Sequence, residues 1–342
     1  MAGETSRCKH HSLQIHVTRK CNLKCLHCYS SSGPDETEAL DIEDLKVAIN
    51  DAKSLGYTFV TLSGGEPFLY PHMTEVLAHA KTLGLRTATV TNGMFLDERR
   101  LEQLKGVLDL VVVSLDGAPE RHNRMRANPA AFEVMSRKIP ALNKSGIPFG
   151  FLFTLSRDNA HELDWAADFA HESGAAMLQV HPLDNEVGRA AETGVFEGLD
   201  PDETSALMAG RRAWDAQQRL KGKLKIVVDF EPRLPDGDAP EIESCGLEPT
   251  FADMVSSLCI ETDGAFVPLG HGFSRDYILG HLGKTRLTDM AERWIDSGQA
   301  NAYADLVSRI QTEARAESAP LLQNMAQTLR RASHDVTRVA AE

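Results

Sequence analysis

The 342-residue sequence is poor in cysteine, aromatic side chains and positive charge, and it lacks a long hydrophobic run. No stretch of about eighteen apolar residues occurs, and residues 1–13 lack the charged-then-apolar pattern of a secretion signal, so we expect no membrane span. Acidic side chains outnumber basic ones by 49 to 36, which gives a formal net charge of −13. Because basic patches hold nucleic acid and anionic lipid, we expect neither as a partner, and we expect a cytoplasmic protein.

Three of the six cysteines lie within eight positions, as Cys21, Cys25 and Cys28, with the spacing C-x3-C-x2-C. A disulfide framework does not suit a cytoplasmic chain, and three thiols leave one unpaired. A structural zinc site requires four ligands, and no further cysteine or histidine pair follows at the usual spacing. Thiolates crowded onto one loop suit an iron–sulfur cluster, and three of them leave one iron of a four-iron cluster open. A zinc module and incidental cysteines are the alternatives.

The triplet follows a short apolar segment at residues 13–17, and a Gly-Gly-Glu-Pro turn follows the next apolar segment. In this arrangement the sequence resembles the radical S-adenosylmethionine (SAM) superfamily over roughly the first two thirds of the chain. The resemblance implies that Cys21, Cys25 and Cys28 hold a catalytic [4Fe-4S] cluster whose open iron binds SAM. It also implies reductive cleavage of SAM to a 5′-deoxyadenosyl radical, hydrogen abstraction from a substrate, and an electron donor of the flavodoxin or ferredoxin type.

Apolar, β-branched segments alternate with helical periodicity, a pattern typical of a parallel α/β sheet covered by helices. We predict strands that start near residues 13, 58, 86, 110, 148 and 177, and helices over about 41–55, 72–83, 96–105, 129–145, 159–173 and 201–221. The resemblance implies a partial (β/α)6 TIM-like barrel over residues 1–230. A turn-rich segment at 232–240 leads into residues 231–342, where we predict a small α+β extension with a β-hairpin around Asp263-Gly264 and further helices.

The reactive groups of α/β barrels lie on the loops that follow the strands, and the remaining motifs of this sequence fall there. The resemblance assigns SAM binding to Gly64, Gly65, Glu66 and Pro67 at the amino group, Ser114 and Asp116 at the ribose, Arg126 at the carboxylate, and His27 near adenine. Plain turns and a solvent-exposed arginine are the alternatives, and Arg126 is preferred over Arg124. Further residues expected near the pocket are Thr91, Asn92 and Gly93, with His16 and His181 as acid–base groups or core histidines.

Residues 245–294 are similar to the SPASM or twitch extension of radical SAM enzymes, which typically carries an auxiliary cluster. Leu269 stands where a cluster ligand is expected, and the two remaining cysteines, Cys245 and Cys259, are too few for an all-thiolate cluster. We therefore expect a degenerate extension without an auxiliary cluster. A mixed site completed by His271 and Asp276 is the alternative, and Cys8 is expected to be incidental.

The substrate class is the least determined part of the prediction. Relatives with such an extension modify ribosomal peptides, sulfatase side chains or tetrapyrroles. We expect modification of a ribosomally synthesised (RiPP-type) peptide, with a tetrapyrrole, haem-related or other small molecule as the alternative. The first strand begins about a dozen residues into the sequence, so we expect no leader-peptide recognition domain. A non-catalytic iron–sulfur protein is the alternative of another class, and the presence of the 64–67 turn and Asp116 counts against it.

Overall fold

Parallel β/α units build most of the protein in this computed structural model, which describes residues 11–233 and 250–339. The elements of this part are β1 (Ser12–Thr18), α1 (Ile42–Ser54), β2 (Phe59–Gly64), α2 (Met73–Thr82), β3 (Arg86–Thr91), α3 (Glu98–Leu104), β4 (Leu110–Leu115), α4 (Pro119–Met125), α5 (Ala131–Ser136), α6 (Ile139–Ser145), β5 (Phe149–Leu155), α7 (Leu163–Glu172), β6 (Met177–Pro182), α8 (Gly188–Thr193), α9 (Glu203–Arg219) and β7 (Lys225–Val228). The predicted strand starts agree with the observed ones to within one residue.

Strands β1 to β7 pair in sequence order, and every pair is parallel. The central strands are covered on both faces, which explains why β4 is a nearly continuous apolar run, Leu-Val-Val-Val-Ser-Leu, with five of its six residues buried. The parallel arrangement brings the carboxyl ends of all these strands to one edge of the sheet. The predicted α/β fold with a partial TIM-like barrel is thereby confirmed.

Two local features differ from the sequence prediction. The helix expected over 129–145 is divided into α5 and α6, and Pro140 lies in the first turn of α6. Proline suits the first turn of a helix but cannot continue one, because it lacks an N–H group and its ring clashes with the preceding turn. The seventh strand, β7, was not predicted, since its four residues are too few to give a periodic signal.

The chain after residue 230 adds strands to the same sheet. Its elements are β8 (Glu231–Pro232), α10 (Phe251–Met254), β9 (Ser257–Ile260), β10 (Ala265–Pro268), β11 (Gly280–His281), α11 (Leu287–Asp296), α12 (Gln299–Arg315), β12 (Leu322–Gln323) and α13 (Met325–Val339). Strands β9 and β10 form the predicted antiparallel hairpin, and β9 pairs with β1 in parallel. The large sheet of the described residues therefore has the order β11-β10-β9-β1-β2-β3-β4-β5-β6-β7, while β8 and β12 pair in a separate two-stranded antiparallel sheet.

The segments that flank the hairpin are fixed to the barrel by polar contacts, in addition to the strand pairing. The Tyr57 hydroxyl donates to the Val255 carbonyl over 2.7 Å. The buried carboxylate of Asp51 on α1 accepts hydrogen bonds from the Arg286 side chain and from the Leu287 N–H. The division of the chain near residue 230 stays a prediction. Cys8, Cys245 and most of the predicted 232–240 linker lie outside the described residues.

No helix of the described residues combines the length and the apolar character that a membrane crossing requires.

Candidate active site

A cavity of about 470 Å³ opens at the carboxyl ends of the strands and reaches into the barrel. Its volume lies in the range of small-molecule sites, roughly 300–1,000 Å³. All three cysteines of the C-x3-C-x2-C triplet line it. The other lining residues of the predicted site are His27, Gly64, Gly65, Thr91, Asn92, Ser114, Arg126 and His181. The structure thus brings together most of the residues that the sequence singles out, although they lie up to 160 positions apart.

The cysteine loop, residues 19–40, follows β1 and forms neither a helix nor an extended strand. Hydrogen bonds to its backbone groups hold it in place. The Cys21 N–H donates to the Gly33 carbonyl over 3.0 Å. The Arg189 guanidinium reaches the loop from α8 and donates to the carbonyls of Cys25 and Ser32 over 2.8 and 2.7 Å. Arg189 belongs to no recognisable sequence motif, so this role was not predicted from the sequence. Its effect is to fix the loop conformation that directs the thiols into the cavity.

Burial opposes the ionisation of two of the three thiols. Cys21 and Cys25 are buried, and burial raises the pKa of Cys21 to about 12. Burial also raises the pKa of Cys25, and the nearby Arg126 charge opposes that rise. Since metals bind the thiolate, cluster binding at this site must release protons and compensate for the buried charge.

Each thiol has at least one polar side chain beside it, and Cys21 also lies 4.0 Å from the Asn22 side-chain oxygen. The Asn92 amide lies 3.9 Å from the Cys21 sulfur, the Arg126 guanidinium lies 3.7 Å from the Cys25 sulfur, and the Ser30 hydroxyl lies 3.5 Å from the Cys28 sulfur. Donors at these positions stabilise negative charge on sulfur. The arrangement suits thiolates that share an anionic cluster.

No three His, Cys, Asp or Glu side chains of the described residues converge in the way that a single metal ion requires. A four-iron cluster does not need such convergence, because each thiolate binds a different iron. Three cysteines on the wall of one cavity suit such a cluster, and they would leave one of its irons without a protein ligand. This donor set agrees with the cluster expected from the sequence.

The two glycines of the 64–67 turn allow two strand ends to approach closely. A Cβ atom on Gly65 would lie 2.4 Å from the Lys20 carbonyl oxygen, and one on Gly64 would lie 2.7 Å from that of Thr18. Gly64 also has a φ of 105°, which a side chain would strain. The Gly65 N–H donates to the Thr18 carbonyl over 2.7 Å. The turn therefore supports the start of the cysteine loop as well as lining the cavity.

Glu66 and Pro67 lie behind the cavity wall. Glu66 is fully buried, and its carboxylate accepts from the Thr91 hydroxyl over 2.8 Å, the Asn92 N–H over 2.9 Å and the Phe68 N–H over 3.2 Å. Burial raises the pKa of Glu66, and these hydrogen bonds oppose the rise. The observed role of Glu66 is to join the turn to the end of β3, and its contact with an amino group stays a prediction.

Asp116 is fully buried beneath two residues that face the cavity. Its carboxylate accepts from the Arg126 side chain over 2.6 and 3.0 Å, and from the Thr154 hydroxyl over 2.9 Å. His27 lies 3.4 Å from the same carboxylate. Burial would raise the pKa of Asp116, but Arg126 and His27 hold it well below its usual range. Asp116 therefore positions Arg126 and His27, while Ser114 lies on the cavity wall, and a ribose contact of either stays a prediction.

The choice of Arg126 over Arg124 agrees with the geometry. Arg126 lines the cavity with a side chain only 11% exposed, whereas the Arg124 side chain is 62% exposed and lies 3.9 Å from Asp158. The two arginines occupy the end of the same short helix, so the chain direction there decides which one faces the site.

His181 and His16 occupy different surroundings. His181 lines the cavity, and its Nδ1 lies 2.9 Å from the Asp229 carboxylate, which also accepts from Gln179 over 2.7 Å. Asp229, which follows β7, was not predicted, because that strand was missed. His16 is buried on the hairpin side of β1, with its Nε2 3.7 Å from the Cys259 sulfur and 3.5 Å from the Tyr29 hydroxyl.

Polar side chains in and after the hairpin contact other protein groups. Cys259 is fully buried, and burial raises its pKa well above the usual range. His271 lies 2.9 Å from Glu261, and Asp276 accepts from the Ser274 hydroxyl over 3.2 Å. Cys259, His271 and Asp276 thus have protein partners, whereas Cys245 lies outside the described residues, and the absence of an auxiliary cluster stays a prediction.

Residues 15–170 match the family model described as the radical SAM superfamily. The matched segment contains the cysteine triplet, the 64–67 turn, Asp116 and Arg126. It therefore covers the half of the cavity that contains the cysteines and most of the predicted cofactor-binding residues.

Two curated relatives are similar over different lengths. The chain is 35% identical over 158 residues to Fe-coproporphyrin III synthase of Methanosarcina barkeri, which covers 46% of the chain and 40% of that protein. It is 29% identical over 295 residues to PqqA peptide cyclase of Ruegeria pomeroyi, which covers 84% of the chain and 74% of that protein. The chain spans about half the length of the first curated relatives that it matches.

A solved structure described as native anSMEcpe with bound AdoMet and Cp18Cys peptide has a similar fold. The TM-score is 0.64 at 17% identity, and the alignment covers 96% of this chain and 97% of that one. At this identity the likeness concerns the fold alone, and it includes the part after residue 170.

Proposed function

We propose that the chain, of which residues 15–170 match the radical SAM superfamily model, is a radical SAM enzyme that modifies a RiPP-type peptide by hydrogen abstraction. Members of this superfamily use a [4Fe-4S] cluster and SAM, the two cofactors that the sequence predicts. When bound, they supply reductive cleavage of SAM to a 5′-deoxyadenosyl radical that removes a hydrogen atom from the substrate. The observation that carries the proposal is that Cys21, Cys25, Cys28, the Gly64-Gly65 backbone and Arg126 border one cavity.

The chain's own residues have three tasks in this reaction. The three thiolates hold the cluster, and the buried Asp116 holds Arg126 and His27 at the cavity wall, where a cationic group suits a carboxylate ligand. Farther inside the barrel most of the wall residues are apolar, and Gln14, Thr61 and Gln179 are the polar exceptions among the described residues. An apolar wall limits the access of water to a reactive radical. The apolar side chains of this inner wall are Phe59, Ala88, Val90, Leu110, Val112, Leu152 and Met177.

Charge favours a peptide over a tetrapyrrole. A tetrapyrrole presents several carboxylates, which need cationic partners. Among the described residues that line the cavity, Arg126 is the only arginine or lysine, and Asp116 already pairs with it. The similarity to the peptide cyclase also extends over 295 residues, against 158 for the porphyrin enzyme, and so includes segments outside the cysteine half. A tetrapyrrole substrate remains the second candidate because the shorter match has the higher identity.

The reduction step requires an electron source outside the chain. We propose a flavodoxin-like or ferredoxin-like donor that docks near the cysteine loop, part of which is solvent-exposed at Lys20 and Lys24.

The cofactor part of the proposal is tested with anaerobically reconstituted protein. We expect about four irons per chain, and release of 5′-deoxyadenosine when SAM and dithionite are added. Cys25→Ala should abolish both. Product release from a variant without a cluster, or zinc in place of iron in the purified protein, would contradict the proposal. About eight irons per chain would instead indicate a second cluster.

The substrate part is tested by co-expression with short open reading frames from the gene neighbourhood. We expect a mass change in one encoded peptide that depends on Cys25. Iron coproporphyrin III is the matched alternative probe under the same reducing conditions. If only the porphyrin is altered, the peptide assignment is wrong while the cofactor assignment stands.

A further inference from the structure

Arg126 is shared between a buried carboxylate and a cluster cysteine. Its Nε and Nη2 atoms donate to Asp116 over 2.6 and 3.0 Å, and its Nη1 donates to the Cys25 sulfur over 3.7 Å. The bidentate pairing fixes the plane of the guanidinium, so the direction of the third donor is fixed as well. Arg126 is 9% exposed and Asp116 is fully buried, so water does not screen either charge.

Arg126 has capacity left for a ligand as well. A guanidinium carries five N–H groups, and three of them are used by Asp116 and Cys25. The two that remain are enough for one carboxylate oxygen. A role toward Cys25 and a role toward SAM are therefore compatible, and an experiment without SAM isolates the first.

We propose that the Arg126–Asp116 pair sets the reduction potential of the cluster through the N–H···S contact with Cys25. This inference rests on the proposed function, since it requires a cluster on Cys25. Arg126 acts on the cluster through the cysteine, and Asp116 acts through Arg126, so both are positioning residues with an electrostatic effect.

The two charges of the pair act on the cluster with opposite signs. Reduction adds one electron to the cluster, and a cation or N–H donor at a cluster sulfur stabilises the added negative charge. Arg126 therefore raises the reduction potential, and the carboxylate of Asp116 partly cancels that effect. Removal of either charge alone leaves its partner uncompensated in a buried site, where electrostatic effects are strongest.

The test is a potentiometric titration of the reconstituted protein without SAM, followed by electron paramagnetic resonance of the reduced cluster. We expect Arg126→Gln to make reduction less favourable and Asp116→Asn to make it more favourable. Each change should alter the one-electron reduction equilibrium constant about tenfold, which corresponds to about 59 mV. Asparagine keeps the shape of the side chain and one oxygen acceptor for Arg126, so Asp116→Asn removes the charge and one of the two hydrogen bonds to the guanidinium.

Arg124→Gln is the matched control. It removes the same charge from the same helix two residues earlier, but the Arg124 side chain is 62% exposed and points to Asp158. We expect its potential to equal that of the unaltered protein. Equal shifts for Arg124→Gln and Arg126→Gln would overturn the proposal, because general surface charge would then explain both.

The opposite signs separate this role from a merely structural one. Loosening of the cysteine loop would move both potentials in the same direction, and that result would overturn the inference. If Arg126→Gln does not retain four irons, the rise expected for Asp116→Asn decides the question alone, with Arg124→Gln as its reference. If the unaltered protein takes up no cluster, the proposed function itself is wrong.

Discussion

Strand β1 borders two regions that both contain buried cysteine, the cysteine loop at its carboxyl end and the β9–β10 hairpin along its edge. In the loop, three sulfurs border a cavity, and each has a polar side chain beside it. In the hairpin, Cys259 is fully enclosed, and His16 is its polar neighbour. The comparison teaches that access to a cavity and the placement of donors, rather than burial or residue type, distinguish a candidate metal ligand from a core cysteine.

The largest expected effect separates the two kinds of cysteine directly. Cys25→Ala should lower the iron content of reconstituted protein from about four atoms per chain to nearly none, because two thiolates hold a cluster poorly. Cys259→Ala should leave the iron content unchanged, since Cys259 does not line the cavity. Iron analysis and visible absorbance measure both. A parallel loss in the two variants would mean that the hairpin cysteine contributes to metal binding.

A second prediction compares a glycine from each region. Gly65→Ala places a Cβ atom 2.4 Å from a backbone oxygen at the start of the cysteine loop, whereas Gly270→Ala in the hairpin meets nothing within 4 Å. We expect Gly65→Ala to lower the free energy of unfolding by about 1–3 kcal/mol and to weaken cluster retention, because backbone atoms must shift. Urea denaturation measures the stability change. The unfolding free energy of Gly270→Ala should lie within about 0.5 kcal/mol of that of the unaltered protein. Equal losses in the two variants would contradict the close contact between the 64–67 turn and the start of the cysteine loop.

A third prediction uses the buried histidine between the two regions. Burial, assisted by His271 and opposed by Glu261, lowers the pKa of His16 to about 3. Below pH 6.5, His16 therefore binds less than its share of protons in the folded protein compared with the unfolded chain, where its pKa is about 6.5. The stability associated with neutral His16 is complete above pH 6.5 and is lost as the pH falls toward 3.

His16→Gln removes this proton linkage. Between pH 7.5 and 5.5 we expect the variant to lose about 1.4 kcal/mol less unfolding free energy than the unaltered protein. Urea denaturation at the two pH values gives the comparison. His161→Gln is the control, since the His161 side chain is 65% exposed. An unchanged pH dependence in His16→Gln would show that His16 is accessible to water.

The smallest effect is expected at the exposed side of the hairpin. Arg275 pairs with Glu261 and Asp263, but its side chain is 51% exposed. Arg275→Gln should cost only about 0.2–1 kcal/mol of unfolding free energy, because water screens the half-exposed guanidinium. The buried Glu261 carboxylate keeps His271 and the Gly272 N–H as partners. Thermal unfolding measures the change. A loss above about 2 kcal/mol would place this pair with buried ones such as Arg126–Asp116.

The sequence predicts the strands well because a parallel sheet covered on both faces demands apolar runs, as in β4. It predicts the helix over 129–145 less well, since helical periodicity continues across the break before Pro140. The pairing of β9 with β1 joins residues about 245 positions apart, and no local pattern encodes such a contact.

In the candidate site, too, local motifs were predicted and contacts between distant residues were not. The cysteine triplet and the glycine turn are local motifs, and both lie at the cavity as expected. Asp116 was expected to face a ligand, but a motif does not reveal whether a carboxylate faces the cavity or lies beneath its neighbours. Arg189 was missed because a single charged residue outside a motif carries no distinguishing signal, and Asp229 was missed because strand β7 before it was not predicted.

The pairing of β9 with β1 has a consequence for how the chain is made. Ser12 and Ser257 are hydrogen-bonded across 245 positions, so one edge of the first strand has no partner until the hairpin is synthesised. At translation rates of about 5–20 residues per second, that edge stays open for roughly ten to fifty seconds. An unpaired strand edge is a template for wrong pairing. The time during which the nascent chain needs protection on the ribosome is therefore set by the last strands of the sheet, not by its first.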